Sequence, residues 1–137
     1  MLDLIIKNGS CYIDKDLKGQ DIGIKDGKII KIGKIDSEAK ETFDAKGLTV
    51  LPGCIDTQTH FREPGSTDTE DLHSGSRAAI VGGITSVFEM PNTNPPTSTK
   101  VEFQKKLDLA KNRMYCNYAF YFGATADNAS ELADLVN

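Results

Sequence analysis

Val50-Leu51-Pro52-Gly53-Cys54-Ile55-Asp56 is where the rhythm of this chain changes. The run is short, apolar and bounded by turn residues, which reads as a buried strand. Downstream of it, strand starts near residues 51, 84 and 115 lie roughly thirty residues apart, with a helix-like stretch between each pair. That spacing belongs to βαβ units and a parallel sheet. Thr67 with Glu70 fits a capping box for a first helix running to about Val81, with Leu72, Ala79 and Ile80 on its apolar side and Gly82-Gly83 as its stop. Residues 84–90 give the next strand. Thr99 with Glu102 opens a second helix, whose buried stripe is Val101, Phe103, Leu107, Ala110 and Met114. Residues 115–122 form a third strand, and Asn128 with Glu131 opens a last helix containing Leu132, Leu135 and Val136.

Upstream the pattern is that of short strands and turns. Residues 2–7 are β-rich and end at Asn8-Gly9, a turn signal. Residues 20–25 alternate apolar Ile22 and Ile24 with polar neighbours. Asp26-Gly27 then turns the chain into residues 28–32 as a hairpin, and residues 43–50 add a piece broken at Lys46-Gly47. The chain is thus read as α/β: a small antiparallel β domain over 1–50, then the start of a (β/α)8 TIM-type barrel over 51–137. A complete barrel takes about 250 residues. The expectation is therefore an N-terminal piece of a larger enzyme, truncated after about three βα units; the alternative is a small independent α/β domain.

Composition narrows the functional classes. The 137 residues are 39% hydrophobic and 26% charged, with net charge −4 and no Lys/Arg cluster. Nucleic acid and anionic membrane are poor partners for such a chain. No apolar run is long enough to span a bilayer, and the N-terminus carries no secretion signal. Cys11, Cys54 and Cys116 are odd in number and far apart. Neither a disulfide framework nor a zinc knuckle follows from them, and reduced thiols in the cytoplasm are the simple reading.

The candidate chemistry lies just past the first barrel strand, in Gln58-Thr59-His60-Phe61-Arg62-Glu63-Pro64-Gly65. Along an extended strand alternate residues share a face, so Gln58, His60 and Arg62 project together if the strand continues through them. A neutral imidazole at His60 suits zinc and similar metals. Gln58 offers only a neutral amide oxygen; it either faces a metal and weakens the site, or simply hydrogen-bonds nearby. The planar guanidinium of Arg62 matches a substrate carboxylate, or else pairs on the surface with Glu63 or Asp68. The proline-stiffened loop Met90-Pro91-Asn92-Thr93-Asn94-Pro95-Pro96-Thr97 can hold Asn92 steady against a ligand, or is an ordinary connection. His73 reads as part of a solvated helix face. Glu89 can point inward or outward, and no role is assigned to it.

Several stretches together resemble the dihydroorotases of the amidohydrolase superfamily. They are Pro52-Gly53-Cys54-Ile55-Asp56, His60-Phe61-Arg62-Glu63-Pro64-Gly65, Glu70-Asp71-Leu72, Gly82-Gly83-Ile84-Thr85 and Met90-Pro91-Asn92-Thr93-Asn94-Pro95-Pro96. The Arg-Glu-Pro-Gly and Met-Pro-Asn-Thr segments point to dihydroorotase rather than to its hydantoinase and allantoinase relatives. The resemblance implies a divalent metal, zinc by preference, that activates water against a cyclic amide, interconverting N-carbamoyl-L-aspartate and dihydroorotate in pyrimidine synthesis. It makes His60 the second His of the family's metal-binding pair and Gln58 the occupant of the first position. Arg62 and Asn92 become holders of a substrate carboxylate. The general base and remaining ligands belong to later strands, beyond residue 137. The resemblance allows a homodimer or a complex with aspartate transcarbamoylase. Two other readings stand beside it: a non-catalytic partner of that transcarbamoylase, suggested by Gln58, and a related cyclic-amide hydrolase of the allantoinase or hydantoinase type.

Overall fold

The structure is a computed structural model and describes residues 1–134. Leu135 and Val136 of the last expected helix lie outside the described residues. The chain separates into two compact units, Met1–Pro52 and Gly53–Asn137.

In the first unit, β1 (Leu2–Ile13) pairs antiparallel with β2 (Asp16–Lys25), and β2 with β3 (Lys28–Gly33). The hairpin turns form where two consecutive residues take left-handed backbone: Asp14 and Lys15 at φ 54° and 65°, then Asp26 and Gly27 at 50° and 70°. That is the turn whose twist matches paired strands. On its other side β1 pairs parallel with β4 (Ala39–Asp44) and with β5 (Thr49–Val50). The sheet is therefore mixed, not antiparallel throughout. A second correction concerns Asn8-Gly9. The strand runs straight through it, and the positive φ of Asn8 (62°) is absorbed as an irregularity in the β1–β2 register between Ile6 and Gly9. Side chains hold this kink: the Asn8 amide Nδ2 donates to Asp44 Oδ1 at 2.8 Å, and its backbone N–H donates to Asp21 Oδ1 at 3.2 Å. Leu2, Ile5 and Ile35 form the core of this unit.

The second unit is a parallel sheet in the order β6 (Cys54–Thr59), β7 (Ile84–Glu89), β8 (Asn117–Phe120). Helix α1 (Leu72–Val81) follows β6, α2 (Lys100–Ala110) follows β7, and α3 (Ala129–Asp134) follows β8. This is a run of three βα units. Phe61, Leu72, Val87, Ala110, Cys116 and Phe120 make the core between sheet and helices.

The start of α1 differs from the reading of the sequence. The N-cap is Asp71, not Thr67: its carboxylate accepts from Ser74 N at 2.6 Å, and Ser74 Oγ accepts from Asp71 N at 3.2 Å. A reciprocal box of this kind satisfies two otherwise orphaned amides. Those bonds hold the Asp71 carboxyl below its ordinary range. Thr99 does cap α2, accepting from Glu102 N at 3.2 Å. On α2, however, Val101 is 63% exposed while Lys106 is 1% exposed. The buried stripe thus carries an amine where the apolar pattern placed only hydrocarbon.

Candidate active site

Strand β6 ends at Thr59, one residue before His60. Its register with β7 slips between Asp56 and Thr59, where three steps along β6 match two along β7, from Val87 to Glu89. The kink is fixed locally, because Asp56 Oδ1 accepts from Gln58 N at 2.9 Å. Alternation therefore does not carry from Gln58 through His60 to Arg62. Arg62 lies beyond the strand, with a left-handed φ of 63° that a non-glycine residue adopts at a cost.

The structure does bring His60 and Asn92 together. His60 Nδ1 lies 2.8 Å from Asn92 Oδ1. An amide oxygen only accepts, so the ring nitrogen facing it is the protonated one. In the neutral ring this tautomer leaves the Nε2 lone pair free, which is the state a metal ligand or proton acceptor requires. Gln58 is exposed, and its side-chain amide makes no hydrogen bond among the described residues. Arg62 is likewise exposed, and its guanidinium forms no ion pair among the described residues, neither with Glu63 nor with Asp68.

Two loops frame this pair. Asn94 N donates to Pro64 O at 3.0 Å, and a Cβ on Gly65 (φ 119°) would stand 2.9 Å from the Asn94 backbone oxygen. The glycine therefore permits the loop after β6 to lie directly on the loop after β7. Glu63 is buried. Its carboxylate takes both arms of Arg113, Nη1 to Oε1 at 2.8 Å and Nη2 to Oε2 at 3.1 Å, and also accepts from Leu72 N at 2.9 Å. Glu63 is thus a brace between the loop, the start of α1 and the end of α2. The Glu63 carboxylate raises the pKa of Arg113 further still.

Glu89, at the end of β7, is buried and paired with Lys106 of α2, Nζ to Oε2 at 2.9 Å. Neither carboxylate oxygen completes a well-directed hydrogen bond. Burial pushes the Glu89 carboxyl up, opposed by Lys106, by the Phe61 backbone amide and by His60. Burial pushes the Lys106 amine down, opposed by Glu89. Sequence reasoning left Glu89 without a role and missed Lys106. The signal was present: Lys106 falls three residues after Phe103 and four before Ala110, on the inward face of α2. His73 does sit on an exposed helix face, with its Nε2 3.1 Å from the Tyr115 hydroxyl.

A divalent metal is tested by the donors on hand. The described residues hold no group of three or more His, Cys, Asp or Glu side chains able to share an ion. His60 offers one imidazole, Gln58 a weak neutral oxygen, and Glu89 is committed to Lys106. By themselves these residues do not compose a metal centre.

Residues 49–134 match the model of the amidohydrolase family. The chain is 41% identical over 134 residues to the allantoinase of Escherichia coli O1:K1 / APEC, covering 97% of this chain and 30% of that protein. Among solved structures it superimposes on L-hydantoinase (dihydropyrimidinase) from Arthrobacter aurescens with a TM-score of 0.90 and 34% identity, over 99% of this chain and 31% of that one. D-hydantoinase (dihydropyrimidinase) from Thermus sp. gives a TM-score of 0.79 and 27% identity, over 97% and 31%. The chain spans about a third of the length of these relatives. It belongs to the amidohydrolase family, and its fold is that of the N-terminal part of hydantoinase structures, a β-rich unit followed by βα units. The relatives named are allantoinase and hydantoinases, so the likeness holds at the level of the family and not of dihydroorotase in particular. No helix among the described residues is long and apolar enough to cross a membrane.

Proposed function

We propose that the protein containing this chain hydrolyses the ring amide of a cyclic ureide or imide, as an enzyme of the allantoinase–hydantoinase kind. The observation carrying this reading is His60 at the C-terminal end of the first parallel strand, its ring held through Nδ1 by Asn92 so that Nε2 is presented free. Functional groups of barrel enzymes gather at these strand ends. The 41% identity to allantoinase over nearly the whole chain supports the same class.

Ring opening adds water across the amide: a C–O bond forms, the C–N bond breaks, the nitrogen takes a proton and a carboxylate is released. The guanidinium of Arg62, exposed and without an ion-pair partner among the described residues, is suited to that carboxylate, which it can meet with two parallel hydrogen bonds. Asn92 orients the imidazole. In the family a divalent ion, zinc by our reading, supplies the activated water when bound. The described residues offer that ion one imidazole, that of His60.

Dihydroorotate is the second reading. Arg62 favours it, because that substrate carries a carboxylate before the ring opens. A panel of allantoin, a 5-substituted hydantoin and dihydroorotate, offered to the complete protein, separates the two. Opening of allantoin or the hydantoin supports the proposal, and opening of dihydroorotate alone replaces it with the second reading. Turnover of none, with no activity gained on Gln58→His, favours a non-catalytic partner of a transcarbamoylase.

A further inference from the structure

The His60–Asn92 bond is exposed to solvent. An exposed side-chain hydrogen bond competes with water and contributes little unless both partners are already held in place. His60 is held by the end of β6. Asn92 sits in a loop tied at its ends by backbone bonds, Met90 N to Thr59 O at 2.9 Å and Gly123 N to Thr97 O at 2.7 Å, and on its flank by Asn94 N to Pro64 O at 3.0 Å; from beneath, the side chain that reaches it is Lys106. Its Nζ, on a side chain 1% exposed, lies 2.9 Å from Glu89 Oε2 and 3.2 Å from Thr97 Oγ1. It also lies 3.4 Å from Met90 O and from Thr93 Oγ1, and 5.3 Å from the centre of the Phe120 ring. These anchors bracket Asn92 on both sides. The loop closes on itself between them, with Thr97 N donating to Pro91 O at 2.9 Å.

We propose that Lys106 is a positioning residue for His60: buried under the 90–97 loop, it fixes the loop backbone so that Asn92 sets the orientation and tautomer of the imidazole. The choice of residue supports this. A buried ion pair is a weak source of stability, and well-packed apolar side chains of similar size often serve as well or better. An ammonium on a long stem does what hydrocarbon cannot: its three donors reach a strand-end carboxylate and several loop oxygens from one point. The proposal holds whichever cyclic amide the protein opens.

The test reads His60 directly and needs no turnover. The complete protein is labelled with 15N-histidine and stripped of metal by a chelator. The His60 ring signals are identified by their loss in His60→Gln. The unmodified protein is expected to give, at a pH where the ring is neutral, the signals of the tautomer that carries its proton on Nδ1. Asn92→Ala releases the ring and moves its two nitrogens toward the mixed-tautomer values of free imidazole. Lys106→Met with Glu89→Gln, which leaves no unpaired charge in the core, is expected to reproduce most of that displacement while circular dichroism shows the fold retained. Thr93→Val with Thr97→Val keeps the ion pair and removes two anchors, and is expected to move the signals the same way; it decides the matter if the Lys106 double variant does not fold. Wild-type His60 shifts in the folded variants, alongside a clear displacement in Asn92→Ala, overturn the proposal. So does an Asn92→Ala protein whose His60 shifts do not move.

Discussion

Asn92 Oδ1 stands 2.8 Å from His60 Nδ1, joining the segments that follow two adjacent parallel strands. The bond commits one ring nitrogen to protein and leaves the other for chemistry. Asn92→Ala is expected to lower ring-opening activity of the complete protein by about 10–100-fold, the range carried by groups that orient a reactive imidazole. Steady-state kinetics on the best substrate of the panel checks this. The loss is expected in kcat, since a substrate-binding role for Asn92 would raise KM instead.

The brace at Glu63 is a matter of stability. Arg113 grips it with a planar fork, and Leu72 N completes the carboxylate's partners. Glu63→Gln keeps an acceptor for Leu72 N but loses the ion pair, and is expected to cost about 1–2 kcal/mol, discounted because Arg113 is a third exposed. Arg113→Lys is expected to cost nearly as much as Arg113→Met, because an ammonium cannot reproduce both arms. Urea unfolding of the set measures it.

Gly75, on α1, faces the ring of Phe61, and a Cβ there would overlap Phe61 Cδ1. Gly75→Ala is expected to destabilise by about 1–3 kcal/mol through overpacking. Adding Phe61→Leu makes room and is expected to make the pair less costly than the sum of the two single changes. A double-mutant cycle by denaturant unfolding reads this coupling.

The Asp71 cap predicts a pH dependence with a definite sign. Its carboxyl is held below the ordinary value of 3.8 in the folded chain, first by the Ser74 backbone bond and then by the Ser74 side chain. The folded state therefore favours the ionised form, and the cap's contribution is complete above the unfolded pKa. It fades as pH falls through the folded value. The Tm difference between the unmodified protein and Asp71→Ala is expected to be constant near neutrality and to shrink below about pH 4.

The parallel βα repeat was legible because β6 and β7 begin after Pro52-Gly53 and Gly82-Gly83, and helices of the right period lie between the three strands. The cap of α2 was legible for the same reason: Thr99 directly precedes a helical stripe. The cap of α1 was not, since Thr67/Glu70 and Asp71/Ser74 both fit the local pattern, and the choice depends on Glu63 reaching Leu72 N from nine residues away. The mixed sheet of the first unit was illegible in principle, because a strand's own sequence does not say whether its neighbour runs parallel. At the candidate site, His60 and Asn92 each stand out from local pattern, but their direct contact joins residues 32 apart. Arg62 was placed by a strand alternation that ends at Thr59, and no local signal announces the slip that ends it. The two braces, Glu63–Arg113 and Glu89–Lys106, span 50 and 17 residues and emerge only in three dimensions.

The most direct measurement compares ring opening of allantoin and a 5-substituted hydantoin by the complete protein and by its His60→Ala variant, with the fold of both verified. Turnover is expected in the first, and in the second a loss exceeding the roughly 100-fold carried by orienting groups. Equal turnover by the two proteins, or no turnover of either ring by the unmodified protein, would contradict the proposed function.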